Sequence, residues 1–328
     1  MSLLYPLKFQ PIFKSKIWGG NKIKTELKKD IGDLPNCGES WEISGVQDNL
    51  SEVANGFLAG NNIEELIEIY MGDLVGEKNY EKYGIEFPLL VKFIDASDFL
   101  SIQVHPDNKL AKQRHNAYGK IEMWYVLSAD EGAQIITGFN TKIDKKEYIQ
   151  RIKDNSLIEV LHVEEAKSGD SFLIPFGRIH AIGAGILLTE IQQTSDITYR
   201  IYDYERKDAE GNTRELHTDL SIDAIDFQLY DSYKSHILPQ KNAAVNLTKC
   251  DYFKTGLLEF DEEITRDYSL LDSFVIYVCV EGKARIKYRA AEDAVEIQKG
   301  ETVLIPASFQ AISLAPEETT RLLEVFIP

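Results

Sequence analysis

The sequence predicts a mainly β protein, a sandwich or barrel of short strands with small helical insertions, and two observations predict it. The first is a succession of short runs rich in Val, Ile, Tyr and Thr, cut by Gly, Pro and Asp, at 87–95, 122–128, 133–139, 186–192, 197–204, 273–280, 284–289, 302–305 and 322–326. Many short strands with few helices favour a β-sandwich or barrel. The second is an internal repeat. "GDSFLIPFGRIHAI" (169–182) aligns without gaps to "GETVLIPASFQAIS" (300–313), placing Gly169 on Gly300, Leu173-Ile174-Pro175 on Leu304-Ile305-Pro306 and His180 on Ala311. Upstream, "EMWYVLSADEGAQI" (122–135) and "FVIYVCVEGKARI" (274–286) share a strand ending in Tyr-Val, and that match puts Glu122 on Phe274. One β unit is present twice, and the second copy lacks the polar groups of the first. The expected organisation is a working domain over 1–240, with helical insertions, and a degenerate domain over 241–328, meeting near "LPQKNAAVNLTK" (238–249).

Three segments read as helical insertions. "NNIEELIEIYMGDLVG" (61–76) carries Ile63, Leu66, Ile67 and Tyr70 at helical spacing, and "KIDKKEYIQRIKDNSLIEVL" (142–161) carries Ile143, Tyr148, Ile149 and Ile152. "DNKLAKQRHNAYG" (107–119) reads as a short helix between strands.

A chain of 328 residues can bury a sizeable core, and its 44% hydrophobic and 27% charged residues are ordinary for a globular protein. The net charge of −17 argues against nucleic acid or anionic lipid as partner. An anionic small molecule is still admissible, because a few local Lys and Arg can outweigh that charge inside a pocket. Cys37, Cys250 and Cys279 are odd in number and widely spaced, which fits neither a disulfide framework nor a thiolate zinc site. With no stretch of about 20 apolar residues and no secretory leader pattern, a cytoplasmic setting is expected.

The stretch "FLSIQVHPDNKLA" (99–111) puts Leu100, Ile102 and Val104 on one parity and Ser101, Gln103 and His105 on the other. In a strand these point to opposite faces, so an amide and an imidazole share a side. Lys120 and Glu122 are again two apart, and His180 follows the turn "IPFGR". Together they offer an amide oxygen, two imidazoles and a carboxylate, a set suited to a divalent metal with room for water or substrate. No glycine-rich phosphate loop lies between a strand and a helix, so nucleotide binding has little support.

"GDSFLIPFGRIH" also resembles the second motif of the cupin superfamily, Gly-x5-Pro-x-Gly-x2-His, at Gly169, Pro175, Gly177 and His180, with Ala184 where an Asn is usual. The first cupin motif departs: Gln103 stands in place of a His, and 16 residues separate His105 from Glu122. Those departures, together with "SIQVHPDNKLA", "GKIEMWYVL", "GESWEIS" (38–44), "PLLVKFIDA" (88–96) and "TYRIYDYER" (198–206), resemble the type I mannose-6-phosphate isomerases in their short bacterial form. The similarity runs from Trp18 to Arg206, with the C-terminal third matching only as a degenerate cupin. The resemblance implies two cupin-like jelly-roll β-barrels, one zinc ion per chain and a small sugar phosphate as substrate. It leaves room for a homodimer. The implied zinc ligands are Gln103, His105, Glu122 and His180, and Arg200 matches the arginine assigned to catalysis. Arg206 matches a cationic position near the phosphate, and Ser101 and Lys120 match pocket positions.

The implied reaction interconverts mannose 6-phosphate and fructose 6-phosphate through an enediolate, so the site must stabilise oxyanion charge as it develops. A guanidinium hardly deprotonates, which makes Arg200 an electrostatic clamp rather than a base. Lys120, Glu190 and a hydroxide on the metal are the candidates for carrying the proton. Lys92 interrupts an apolar run in "LLVKFIDA", so it is either paired in the core or reaches the pocket, and a buried lysine needs a partner in both cases. Trp41 and Glu42 are pocket wall or scaffold. Two rivals use the same residues: an iron dioxygenase built on His105, Glu122 and His180, and a sugar-binding cupin without catalysis.

Overall fold

Along the strand Glu122–Ala129, successive side chains divide between two cores. Trp124 and Val126 enter one, and Met123, Tyr125 and Leu127 enter the other. A strand buried on both faces lies in an interior sheet, and this sheet is the middle of the molecule.

The computed structural model describes residues 3–207, 210–289 and 293–328. The strands pair antiparallel into four sheets. The first, of seven strands, runs in spatial order Ile12–Lys14, Glu39–Ser44, Leu89–Ala96, Ile186–Gln193, Glu122–Ala129, Asp170–Ile174 and Ser235–His236. It faces a five-stranded sheet of Tyr199–Tyr202, Ile102–Val104, His180–Ile182, Gln134–Phe139 and Leu161–Glu165. Ile94, Trp124, Phe172 and Leu188 of the first sheet meet Ile135 and Ile182 of the second in one dry core. A five-stranded sheet (Ala243–Lys249, Lys254–Phe260, Thr320–Phe326, Val275–Glu281, Thr302–Ile305) and a four-stranded one (Ile264–Asp267, Ala311–Pro316, Lys283–Tyr288, Asp293–Gln298) make the second sandwich. Its core holds Leu258, Phe260, Tyr277 and Leu322 against Ile286, Ile297 and Leu314. The two sandwiches abut through the interior sheet's other face, where Val91, Phe93 and Tyr125 join Ile276, Leu304 and Leu323.

The fold is therefore mainly β, and paired sheets are the jelly-roll arrangement; among the described residues they do not close into barrels. The strand orders of the two sandwiches superimpose, which accounts for the sequence repeat. Gly169 and Gly300 take the same left-handed turn, with φ of 89° and 87°. The register corrects one equivalence. Glu122 pairs with Ile174, and it is Val275 that pairs with Ile305, the repeat mate of Ile174. Glu122 thus corresponds to Val275, not Phe274. Matching on the Tyr-Val dipeptide slipped the strand by one residue, which exchanges the two faces.

The helical insertions are shorter than periodicity predicts. Asn62 and Glu65 form a capping box that starts the helix Ile63–Tyr70, and Met71, with φ of 46°, splits it from Gly72–Val75. Asp144 caps Lys145–Lys153; a 3-10 turn, Leu157–Val160, then leads into the strand Leu161–Glu165. Asp107 caps Asn108–His115, which ends at left-handed Asn116.

Candidate metal centre and active-site cavity

The turn at Gly177, whose N–H donates to the His105 carbonyl at 3.0 Å, helps bring three strand segments of the first sandwich together. His105 follows the strand Ile102–Val104, Glu122 opens the strand Glu122–Ala129, and His180 opens His180–Ile182. Their ligating atoms lie within 4.8 Å of one another, and all three residues are buried. Glu122 Oε1 is 3.2 Å from His180 Nε2 and 3.6 Å from His105 Nε2.

The imidazoles are oriented by backbone. His105 Nδ1–H donates to the Ile197 carbonyl at 3.0 Å, and His180 Nδ1–H donates to the Arg178 carbonyl at 2.8 Å. That fixes the tautomer and turns both bare Nε2 atoms toward Glu122. Burial, with the nearby Lys120 charge, holds the His105 pKa down to about 3, so its ring is neutral at physiological pH. Burial works against ionisation of Glu122, but the nearby Lys120 charge outweighs it and keeps its pKa well below the usual range. His105 Nε2, His180 Nε2 and both Glu122 oxygens have no hydrogen-bond partner among the described residues. Four buried acceptors facing one another without a donor are costly unless a cation joins them. Two imidazoles and one carboxylate suit a divalent ion such as zinc, and the residues present fit it.

Beside this cluster opens a cavity of about 410 Å³. Six cations line it, Lys14, Lys16, Lys92, Lys120, Arg200 and Arg214, against three acids, Glu39, Glu190 and Asp196. In a chain of net charge −17 this concentrates positive charge where an anionic ligand would sit. Lys120 joins cavity and cluster, its Nζ lying 3.6 Å from Glu122 Oε2. Gln103 and Ser101 line the cavity too, and Gln103 pairs across the sheet with His180 on one side and Arg200 on the other.

Lys92 does both things its sequence context allows. It lines the cavity and is ion-paired with Glu190 at 2.7 Å, directly opposite it on the neighbouring strand. Glu190 also accepts from Trp124 Nε1 at 2.8 Å. Trp41 is wall, with the Lys92 ammonium 5.6 Å from its ring centre, whereas Glu42 turns away and pairs with Lys29 at 2.9 Å. Arg200 donates to the Glu215 carbonyl at 2.9 Å, and its buried Nε has no hydrogen-bond partner among the described residues. Arg206 is not brought into the cavity: Asp203 at 2.6 Å, Asp98 at 3.5 Å and the Phe99 carbonyl engage it elsewhere. Arg214 lines the cavity instead, its Nε donating to Asp203 at 2.7 Å. Sequence reasoning missed Arg214, Lys14 and Lys16. Lys14 alternates with Lys16 near the N-terminus, a weak signal that they share a strand face.

A two-sandwich cupin-type fold with a His-Glu-His cluster beside a cationic cavity is the class of protein that suits a divalent ion and an anionic small molecule. Residues 6–142 match the family described as phosphomannose isomerase type I, catalytic domain. The chain is 36% identical over 310 residues to the mannose-6-phosphate isomerase ManA of Bacillus subtilis, covering 92% of this chain and 93% of that one. It is 44% identical over 220 residues to the mannose-6-phosphate isomerase of Streptococcus mutans, covering 67% of each. The crystal structure of the Bacillus subtilis mannose 6-phosphate isomerase superimposes with a TM-score of 0.82 at 30% identity, over 98% of this chain and 99% of that one. The chain belongs to the type I phosphomannose isomerase family.

Proposed function

We propose that this chain interconverts mannose 6-phosphate and fructose 6-phosphate with one divalent ion, zinc by its donor set, held by His105, Glu122 and His180. In this reading Gln103, opposite His180 across the sheet, is a fourth donor. The observation that carries the reading is the acceptor-only cluster beside a cationic cavity, joined to it through Lys120. The ion would supply Lewis acidity toward the sugar's oxygens.

The chain's own groups do the rest. Lys14, Lys16 and Arg214 offer charge for the phosphate, with Ser101 as a hydroxyl donor. Arg200 faces the sugar as a fixed cation, stabilising negative charge as the enediolate forms. The C2–H proton leaves and returns at C1, and Lys120 and Glu190 are the cavity groups able to carry it. The indole of Trp124 and the ammonium of Lys92 hold Glu190 in place. Residues 1–240 carry this chemistry and 241–328 buttress it. The cytoplasm is the setting in keeping with three free thiols; no helix among the described residues is long and apolar enough to cross a membrane.

A coupled assay on mannose 6-phosphate, run before and after chelation and again after adding zinc, tests the reading. Activity that is lost and then restored supports it. Full activity in demonstrably metal-free protein overturns it, and iron content with oxygen consumption moves the assignment to a dioxygenase.

A further inference from the structure

The second sandwich has a cavity of its own, about 330 Å³, at the low end of the range for small-molecule sites. Its position repeats that of the first. Glu324 lies opposite Tyr277 on one neighbouring strand and Gly256 on the other, just as Glu190 lies opposite Trp124 and Lys92. Each sandwich thus buries a carboxylate at the same place, with an aromatic donor at one side. Tyr277 donates to Glu324 at 3.1 Å, as Trp124 does to Glu190. The cation differs in origin. Arg266, from the facing sheet, grips Glu324 with Nε at 3.0 Å and Nη2 at 2.9 Å.

Gly256 is the informative residue. Glycine weakens a strand interior, and there it serves an unusual φ, close backbone approach, or space. Its φ is not in the left-handed region, and a Cβ placed on it would meet nothing nearer than the Val245 carbonyl oxygen at 3.5 Å. Space is what remains. Where the first sandwich fills this point with Lys92, the second leaves it open to the cavity.

We propose that this cavity binds a neutral polyhydroxylated molecule, of the class of an unphosphorylated hexose. Two cations, Lys254 and Arg266, face two acids, Asp267 and Glu324, so the lining is balanced, in contrast to the cationic excess around the first cavity. Glu324 fixes Arg266 and leaves its Nη1 to donate, Asp267 and Asn246 add an acceptor and an amide, and the rings of Tyr268 and Phe326 give the apolar surface a sugar's C–H face packs on.

The test is calorimetric titration of the full chain with D-mannose, comparing wild type with Gly256→Leu, which refills the space without touching the first cavity. The expected result is at least a tenfold weaker Kd in the variant, with mannose 6-phosphate turnover within twofold of wild type. Wild type that binds no D-mannose overturns the proposal, and so does a variant with unchanged melting temperature and unchanged Kd. Should Gly256→Leu not fold, Asp267→Asn at the exposed strand edge decides. Loss of its charged hydrogen bond weakens binding by about tenfold if the ligand sits there and leaves Kd unchanged if it does not.

Discussion

The two sandwiches share a strand order, a left-handed glycine turn and a buried carboxylate, and yet among the described residues only the first assembles a cluster that calls for a cation. Three changes make the difference. Glu122 is matched by the apolar Val275 and Lys92 by Gly256, and Ala311, the residue the sequence repeat sets against His180, is exposed rather than inward. The second sandwich spends the first of these on apolar packing, with Val275 fully in its core. The jelly roll is stable either way, so the site is an addition to the scaffold rather than a condition for it. Burying four acceptors without a donor lowers the stability of the metal-free first sandwich, a cost its twin does not carry.

Copying the second sandwich into the first tests this most severely. Glu122→Val should reduce kcat/KM by about 10³-fold or more, since losing the ion's placement removes several kcal/mol of transition-state stabilisation. Metal-free Glu122→Val should nevertheless melt near the temperature of the metal-free parent, because apolar packing of the valine and relief of a buried carboxylate without hydrogen bonds offset the loss of its long ion pair to Lys120. Scanning calorimetry after chelation reads the second quantity. A variant that keeps activity within tenfold, or whose apo form melts well below the parent, breaks the comparison.

The ion pairs at the equivalent carboxylates give the next effect. Burial works to lower the Lys92 pKa, but the charges of Glu190 and Glu39 outweigh it and hold it above its ordinary value. A raised lysine pKa means that the stabilisation is complete below about 10.4, the unfolded value, and is lost as pH climbs past it toward the folded one. Lys92→Met should therefore cost about 3–5 kcal/mol at pH 7, leaving Glu190 buried and unpaired, and the cost should shrink above pH 10.4 or so. Arg266→Met in the second sandwich should show no such decline over the same range, because guanidinium keeps its proton. Urea denaturation of both variants from pH 7 to 11 separates the two behaviours, and parallel curves would remove the distinction.

Strands such as Leu89–Ala96, Glu122–Ala129 and Ile186–Gln193 were legible because aliphatic, aromatic and β-branched residues dominate them between turn residues, as buried strands require. The break at Met71 was not, since it stops its helix by adopting positive φ, which methionine does not announce, whereas Asn155 takes the left-handed conformation asparagine favours. The cluster residues were legible one at a time, through the motif around His180 and the alternation at Gln103 and His105. Their convergence was not, because it depends on how sheets face each other. The slip at Phe274 has the same root: a dipeptide match carries no information about which face a strand presents. Arg214 shows the limit most plainly, since it enters the cavity from an irregular segment with no periodicity to read.

That residue supplies the smallest of the effects. Asp203 is buried and accepts from both Arg206 and Arg214, yet only Arg214 reaches the cavity wall. If charge at the wall is what holds the sugar's phosphate, the two arginines should part company. Arg214→Ala should raise KM for mannose 6-phosphate by about tenfold with little change in kcat, the signature of lost uniform binding. Arg206→Ala should stay within about threefold, since its guanidinium is occupied by Asp203, Asp98 and the Phe99 carbonyl and its loss acts only through their arrangement. Steady-state kinetics on the two variants reads both numbers. Equal effects would mean that the Asp203 cluster acts as one unit, and a larger effect at Arg206 would return the phosphate contact to the residue the family pattern points to.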